Sequence, residues 1–271
     1  MDAEMKTVLT IAGFDPSSGA GVTADLMVFR AHGLFGTSCI TGLTVQSTVG
    51  VRATHPVAAE VVRETLECLW DDLPPDGIKI GMLATAANVA AVAEFLTSAR
   101  GACPVVLDPV LRSSSGRELL EADGVRLLRE RLLPLVDWVT PNLDELAILS
   151  GRRVVERDDL PDAARALQRL PPSLNVGLNV LATGGHLAVP DDFVLTADGR
   201  MRWLAGERIE TTSTHGTGCA LSSALLCGLV RGDADAPGSA KKYVAGALRS
   251  AGAMGKGCGP LNHLWEMRGL Q

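Results

Sequence analysis

Short, nearly unbroken apolar runs alternate with longer amphipathic ones along most of this chain, and few architectures can bury such a pattern. TVLTIAG (7–13) is β-branched and stopped by glycine; SCITGLTVQ (38–46), IKIGML (78–83), PVVLDPV (104–110) and DWVTPN (137–142) follow as further strands. Between them lie segments with apolar residues at helical spacing. Residues 20–33 carry Val22, Leu26 and Phe29 with Gly33 as a stop, 57–73 carry Val61, Leu66 and Leu69 expected to face inward, and 86–99 form another helix. A strand that is apolar on both sides needs cover on both sides. The pattern therefore predicts an α/β fold of three layers, α/β/α, around a mostly parallel central sheet. Residues 176–211 change character: VGLNVLATGG, DFVLTAD and MRWLAGERIET read as strands joined by short turns, an antiparallel edge. Helices resume at 217–231 and 240–254, and no linker or internal repeat divides the 271 residues, so one domain is expected.

In open α/β sheets ligands gather beyond the carboxyl ends of the strands. The residues there are Gly13–Asp15, Gln46, Gly81–Met82, Asp108, Asn142 with Glu145, and Gly184–Gly185. Turns are polar and glycine-rich in any protein, so each loop alone says little; their agreement is the signal. Asp108 stands out because it ends an apolar strand, where an idle carboxylate would be costly.

The stretch THGTGCALSSALL (214–226) makes a sharper point. Gly216 and Gly218 allow backbone angles closed to other residues and clear space for close approach. The helix that follows opens with unpaired N–H groups and a partial positive charge. The amides of Gly216, Thr217, Gly218 and Cys219 are thus expected to surround an anion, as phosphoryl transfer requires. Cys219 in that field is expected to have a lowered pKa and to take a proton from a substrate hydroxyl. The competing reading is a small apolar filler. His215 serves equally as a helix-entry hydrogen-bond partner or as a catalytic part.

Composition excludes several classes. Net charge is −6, which argues against a nucleic-acid binder. No apolar run reaches the ~20 residues of a membrane span, and MDAEMKTVLTIAG lacks the basic-then-apolar pattern of a signal peptide. The six cysteines show no C-x-x-C pair, and Cys219 and Cys227 lie too far apart along one helix to bond, so a reduced, cytoplasmic protein is expected. The chain has no G-x-x-x-x-G-K-[ST], no G-x-G-x-x-G behind its first strand and no H-E-x-x-H.

With these residues in view, the chain resembles the hydroxymethylpyrimidine/phosphomethylpyrimidine kinases of thiamine biosynthesis, within the ribokinase-like superfamily. The likeness runs from TIAGFDPSSGAGVTADL through GLTVQSTVG, KIGML, VLDPV, TPNLDE, GGH and THGTGC to GPLNH. It implies transfer of phosphate from ATP, with Mg²⁺ and an optional monovalent cation, to the hydroxymethyl group of an aminopyrimidine, and a second phosphorylation of the product. It implies that the Gly216–Cys219 turn is the anion hole and Cys219 the base where sugar kinases carry aspartate. Gln46 matches the pyrimidine-recognising glutamine; its amide complements a ring nitrogen beside an amine. Gly13, Ala20, Val45, Met82 and Val110 match the walls of the ring site, and Asp25 lies in the matching ADL segment, with a solvated helix-face charge as its alternative. Asp108 and Glu145 would form the magnesium centre, mostly through water. Asn142, Thr183, Gly185 and Thr217 fall on the nucleotide side. A homodimer is expected by resemblance only.

The chain departs from the family pattern at Thr183 and Ser114, where lysines that hold ATP phosphates are common; Arg112 and Lys256 are candidate substitutes. Ser18 replaces a frequent glycine, and Cys258 a frequent His or Arg. Two alternatives stay open: a pyridoxine or pyridoxal kinase on the same fold, and a ligand-binding regulator without catalysis.

Overall fold

A computed structural model describes residues 5–99, 101–113, 116–170, 177–185 and 187–267. The chain runs β1 (Thr7–Phe14), α1 (Gly21–Ala31), β2 (Phe35–Ser47), β3 (Gly50–Pro56), α2 (Ala59–Asp72), β4 (Gly77–Ile80), α3 (Ala86–Ser98), β5 (Val105–Leu107), α4 (Ala122–Leu127), β6 (Trp138–Val139), α5 (Leu143–Ser150), α6 (Leu160–Gln168), β7 (Asn179–Ala182), β8 (Asp192–Leu195), β9 (Met201–Leu204), α7 (Thr217–Arg231) and α8 (Ala236–Arg249). The strands form one sheet in the order β3-β2-β1-β4-β5-β6-β7-β8-β9. From β2 to β7 neighbouring strands are parallel, and β8 and β9 add the expected antiparallel edge.

Alternate residues of each strand feed two different cores. Leu9 and Ile11, Val105 and Leu107, and Val180 and Ala182 face one helix layer, which includes Val62 and Leu66 of α2, Val92 of α3 and Leu146 of α5. Val8, Val106 and Leu181 face the other, packed on Phe29 of α1, Leu225 of α7 and Ala240 of α8. This period of two explains why the central strands read as continuous apolar runs.

The structure revises several details. A second antiparallel edge exists: β3 pairs with β2 as a hairpin that the sequence reading did not contain. Its residues, GVRATHP, alternate too weakly to announce a strand, because none of them is fully buried. Val61 points outward and is 52 % exposed; Val62, one position on, is the buried residue beside Leu66. The second-last helix begins on time at Thr217, but the last begins at Ala236 rather than 240, because Asp235 caps it and Pro237 sits in its first turn, where proline is tolerated. The strand at 137–142 is short, because Asn142 already caps α5. Helices α4, α5 and α6 were not anticipated; α5 is eight residues long, too short for periodicity to show.

Candidate active site

The strand ends converge on a cavity of about 190 Å³ lined, among others, by Gly13, Gln46, Met82, Asp108, Glu145 and Cys219. β1 delivers Gly13 and Asp15, β2 delivers Thr44 and Gln46, and β5 ends one residue before Asp108. The loop after β6 carries Thr140 and Asn142, β7 leads to Thr183, and α7 begins at the opposite wall. A shallower groove of about 450 Å³ lies between the β2–β3 turn and Gly116–Arg117; its lining contains no carboxylate and no thiol.

The glycine turn has the geometry an anion cradle needs. Gly216 takes φ +88°, and a Cβ there would lie 1.8 Å from the carbonyl oxygen of Gly19, so only glycine fits this crossing. A Cβ on Gly218 would stand 3.8 Å from Asp108 Oδ2, in the gap between the helix start and the carboxylate. A side chain there would fill the space that the first amides of α7 face. The Gly21 backbone and the Asp108 carboxyl both bear on the Cys219 thiol. The expected lowering of the Cys219 pKa is not what this environment gives. Burial pushes it up to about 12, Asp108 and Asp25 add to the rise, and Lys79 and the Gly21 amide only partly oppose it. A helix start lowers a thiol's pKa where water can still reach it; here two carboxylates share the same dry space.

Two charged clusters meet at the cavity. In the first, Lys79 donates to both oxygens of Asp25, at 3.0 and 2.9 Å, and Asp25 also accepts from Thr10 (2.6 Å) and Ser223 (2.8 Å); both charged side chains are fully buried. Burial works against the ammonium, but Asp25, Cys219 and Asp108 outweigh it and hold its pKa above the ordinary lysine value. In the second cluster Asp108 accepts from Ser222 at 3.2 Å, and Glu145 closes a capping box with Asn142 at the start of α5. The two Asn142–Glu145 hydrogen bonds measure 3.0 and 2.9 Å. Burial, then Asp108, pushes Glu145 up to about 8. Burial and Asp25 likewise raise Asp108 against the pull of Lys79, Ser222 and Cys219. Among the described residues no group of three or more His, Cys, Asp or Glu side chains is arranged to hold a metal. Two acidic side chains beside open space are nonetheless the donor set that a magnesium ion keeping most of its water uses, so the residues fit that ion.

Most sequence-predicted residues line the cavity: Gly13, Ala20, Gln46, Met82, Asp108, Val110, Asn142, Glu145, Thr183, Gly216, Gly218 and Cys219. Four do not. Val45 is 48 % exposed, because strand alternation sends Thr44 and Gln46 to the cavity and Val45 to the far face. Asp25 is neither a cavity wall nor a solvated charge; it is fully buried, paired with Lys79, which does line the cavity. The Thr217 hydroxyl turns back to the Thr214 carbonyl at 2.7 Å, and Gly185 sits on an exposed turn outside the lining. Of the two candidate cations, Arg112 lines the cavity, and Lys256 lies on an exposed loop packed against Thr48. Ser114 and His186 fall outside the described residues. Ser18 has φ +59°, the left-handed region where glycine is at ease, which accounts for the family's preference there.

Sequence reasoning missed Lys79, and gave His215 no settled role. The signal for Lys79 was present: a lysine inside IKIGML needs a buried anion, and Asp25 shares a helix face with Val22 and Phe29, which are both buried. His215 was legible only as a turn residue; Asp15 and Gln46, its partners, stand 200 and 169 positions away.

The doubly covered sheet, the glycine-opened helix and the carboxylates at the strand ends define a ribokinase-like phosphotransferase. The chain matches the phosphomethylpyrimidine kinase family over residues 15–262. It is 39 % identical over 268 residues to the hydroxymethylpyrimidine/phosphomethylpyrimidine kinase of Haemophilus influenzae, covering 96 % of this chain and 97 % of that one. Among solved structures, phosphomethylpyrimidine kinase from Clostridium difficile shares 32 % identity at a TM-score of 0.76, over 89 % of this chain and 98 % of that one. The pyridoxal kinase of Staphylococcus aureus in complex with AMP-PCP and pyridoxal shares 28 % at 0.84, over 97 % and 96 %. The chain belongs to the phosphomethylpyrimidine kinase family, and it is a kinase.

Proposed function

We propose that this protein, acting as one kinase domain, uses ATP and magnesium to phosphorylate 4-amino-5-hydroxymethyl-2-methylpyrimidine and then its monophosphate. The observation that carries the reading is the placement of the Gly216–Cys219 cradle and Asp108 in one cavity with Gln46 and Met82. Met82 reaches into space that a side chain on Gly13 would occupy, 2.5 Å from its Cε, so the two residues together shape a flat apolar wall. That suits a small aromatic ring. Gln46 supplies a donor and an acceptor at the ring's edge.

MgATP, when bound, brings the phosphoryl group and the positive charge that the two carboxylates attract. The chain's own residues do the rest. The first amides of α7 hold the migrating group where its charge spreads. Cys219 receives the alcohol's proton as the new P–O bond forms and the bond to the leaving ADP breaks, and passes its own thiol proton to Asp108, which gives it up to water when the products leave. Glu145 stays fixed by Asn142 and faces the cation. Arg112 supports the phosphates in place of the lysines this chain lacks. Thr183 adds a hydroxyl.

The exposed residues Leu43 and Val45, 46 % and 48 % accessible on one face of the β2–β3 hairpin, support a homodimer through that face, which light scattering would test. Among the described residues no helix is long and apolar enough to cross a membrane. The cysteines are unpaired, in keeping with the reducing cytoplasm.

The deciding experiment measures ADP release with hydroxymethylpyrimidine, its monophosphate and pyridoxal side by side. The proposal expects the pyrimidine to be turned over fastest. Faster turnover of pyridoxal would transfer the assignment to a pyridoxal kinase, the reading that the 0.84 structural likeness keeps in play. No ADP release with any of the three would overturn the substrate reading.

A further inference from the structure

Three side chains from distant parts of the chain meet at the mouth of the cavity. His215 Nε2 lies 2.7 Å from Asp15 Oδ2 and 2.9 Å from Gln46 Nε2. Asp15 also accepts from the Ser17 amide (2.9 Å), the Ser17 hydroxyl (2.7 Å) and the Ala20 amide (3.0 Å). A carboxyl receiving so many protons is ionised. Burial opposes this, but the bonds from His215 and Ser17 outweigh it and hold its pKa below the usual value. An ionised Asp15 requires a proton on His215 Nε2. An amide nitrogen 2.9 Å from that N–H would set two donors face to face. A half-turn of the Gln46 amide exchanges its nitrogen and oxygen and moves nothing else, so that the carbonyl accepts from His215.

Thr44 gives an independent reason for the same half-turn. Its hydroxyl has one proton but faces two acceptors, the Phe14 carbonyl at 3.0 Å and Gln46 Oε1 at 3.2 Å. After the half-turn it donates to Phe14 and accepts from the Gln46 amide. The single His215 Nε2–H is then shared between Asp15 and the Gln46 carbonyl, no two donors face each other, and the Thr44 contact favours the same direction of the amide.

We propose that His215, locked by Asp15, is a positioning residue that decides which way round Gln46 presents its amide, and so selects an aminopyrimidine over a hydroxypyridine. This rests on the substrate reading proposed above. An aminopyrimidine edge carries an acceptor nitrogen beside a donor amine, which one sense of the amide matches and the other opposes. A hydroxyl both donates and accepts, so a hydroxypyridine is served by either sense. Freeing the amide therefore costs the pyrimidine more than its competitor.

Steady-state kinetics with hydroxymethylpyrimidine and with pyridoxal, at saturating MgATP, test this. His215→Ala should raise KM for the pyrimidine about tenfold with kcat within about threefold, and cut the pyrimidine-to-pyridoxal ratio of kcat/KM by about tenfold, the effect of one misdirected hydrogen bond. His215→Gln, which keeps an N–H donor, should restore most of that ratio. In a Gln46→Ala background the His215 change should add nothing. Should His215→Ala fail to fold, His215→Phe keeps the ring's bulk and should show the same losses. An unchanged ratio in a folded His215→Phe protein, or fully additive losses in the double variant, would overturn the proposal. Wild-type protein that leaves the pyrimidine untouched would instead sink the substrate reading, and that is seen before any variant is made.

Discussion

The two charged clusters at the cavity are neighbours, yet one is complete and the other is not. Lys79 and Asp25 neutralise each other, and Thr10 and Ser223 satisfy what remains of the carboxylate. Asp108 and Glu145 are both acids without a cationic partner of their own, sit 5 % and 6 % exposed, and both have raised pKa values. A fold can bury a matched pair for structure alone, at little net gain. An unmatched pair of acids is a standing cost, and such costs concentrate where a ligand is to arrive. The contrast separates the part of the site that the chain finishes by itself from the part that the substrate complex finishes.

The contrast can be broken from either side. The largest effect is expected at the reacting centre: Cys219→Ala should lower kcat by about 10²–10⁴ while leaving the melting temperature and pyrimidine affinity close to wild type. Stopped turnover with intact folding, measured by coupled assay and thermal denaturation, is the signature. Turnover near wild type would reduce Cys219 to packing. In the complete cluster the loss should fall on stability instead. Lys79→Met leaves Asp25 buried without a counter-charge, and chemical denaturation should show a loss of about 3–5 kcal/mol. A variant as stable as the parent would mean that the pair contributes nothing to the fold.

A gentler change sharpens the comparison. Glu145 is raised from 4.5 to about 8, so the ligand-free fold favours its protonated form. That contribution is fully present below about pH 4.5 and is lost as pH rises toward 8. Glu145→Gln should therefore be more stable than wild type at pH 9, on the order of 1–2 kcal/mol, with the gap closing toward pH 4, while its activity falls. Melting curves across that range check the sign; a gap that widens in acid would refute it. The smallest effect is expected at the rim. Arg112 is 55 % exposed, and Arg112→Ala should raise KM for ATP about three- to tenfold, consistent with one solvent-screened phosphate contact. No change in KM would leave the phosphates held by the α7 amides and Thr183 alone.

Much of this site was written in the chain because its parts are local. THGTGC is a helix start, and the left-handed Gly216 and the opening amides follow from six adjacent residues. Asp108 was legible as a charge at the end of an apolar strand, and Asn142 with Glu145 as polar residues where a strand ends; the capping box they form emerged only in the structure. What failed was orientation. Val45 was placed in the cavity wall and Asp25 beside the substrate because a motif gives positions but not the direction in which a side chain leaves the backbone. The lowered Cys219 pKa failed for a related reason: the helix start is local, whereas burial depends on the whole fold and the charges of Asp108, Asp25 and Lys79 come from three other places in the chain.

Taken alone, the order of apolar runs, glycines and caps determined a doubly covered parallel sheet and the end of it where chemistry happens, because backbone hydrogen bonding and strand period leave few other ways to bury those runs. Only the tertiary structure decided which charges neutralise one another, that His215 lies against Gln46, and that the thiol is held protonated. Those outcomes depend on distances between residues up to 200 positions apart and on the exclusion of water, neither of which a linear order of residues contains.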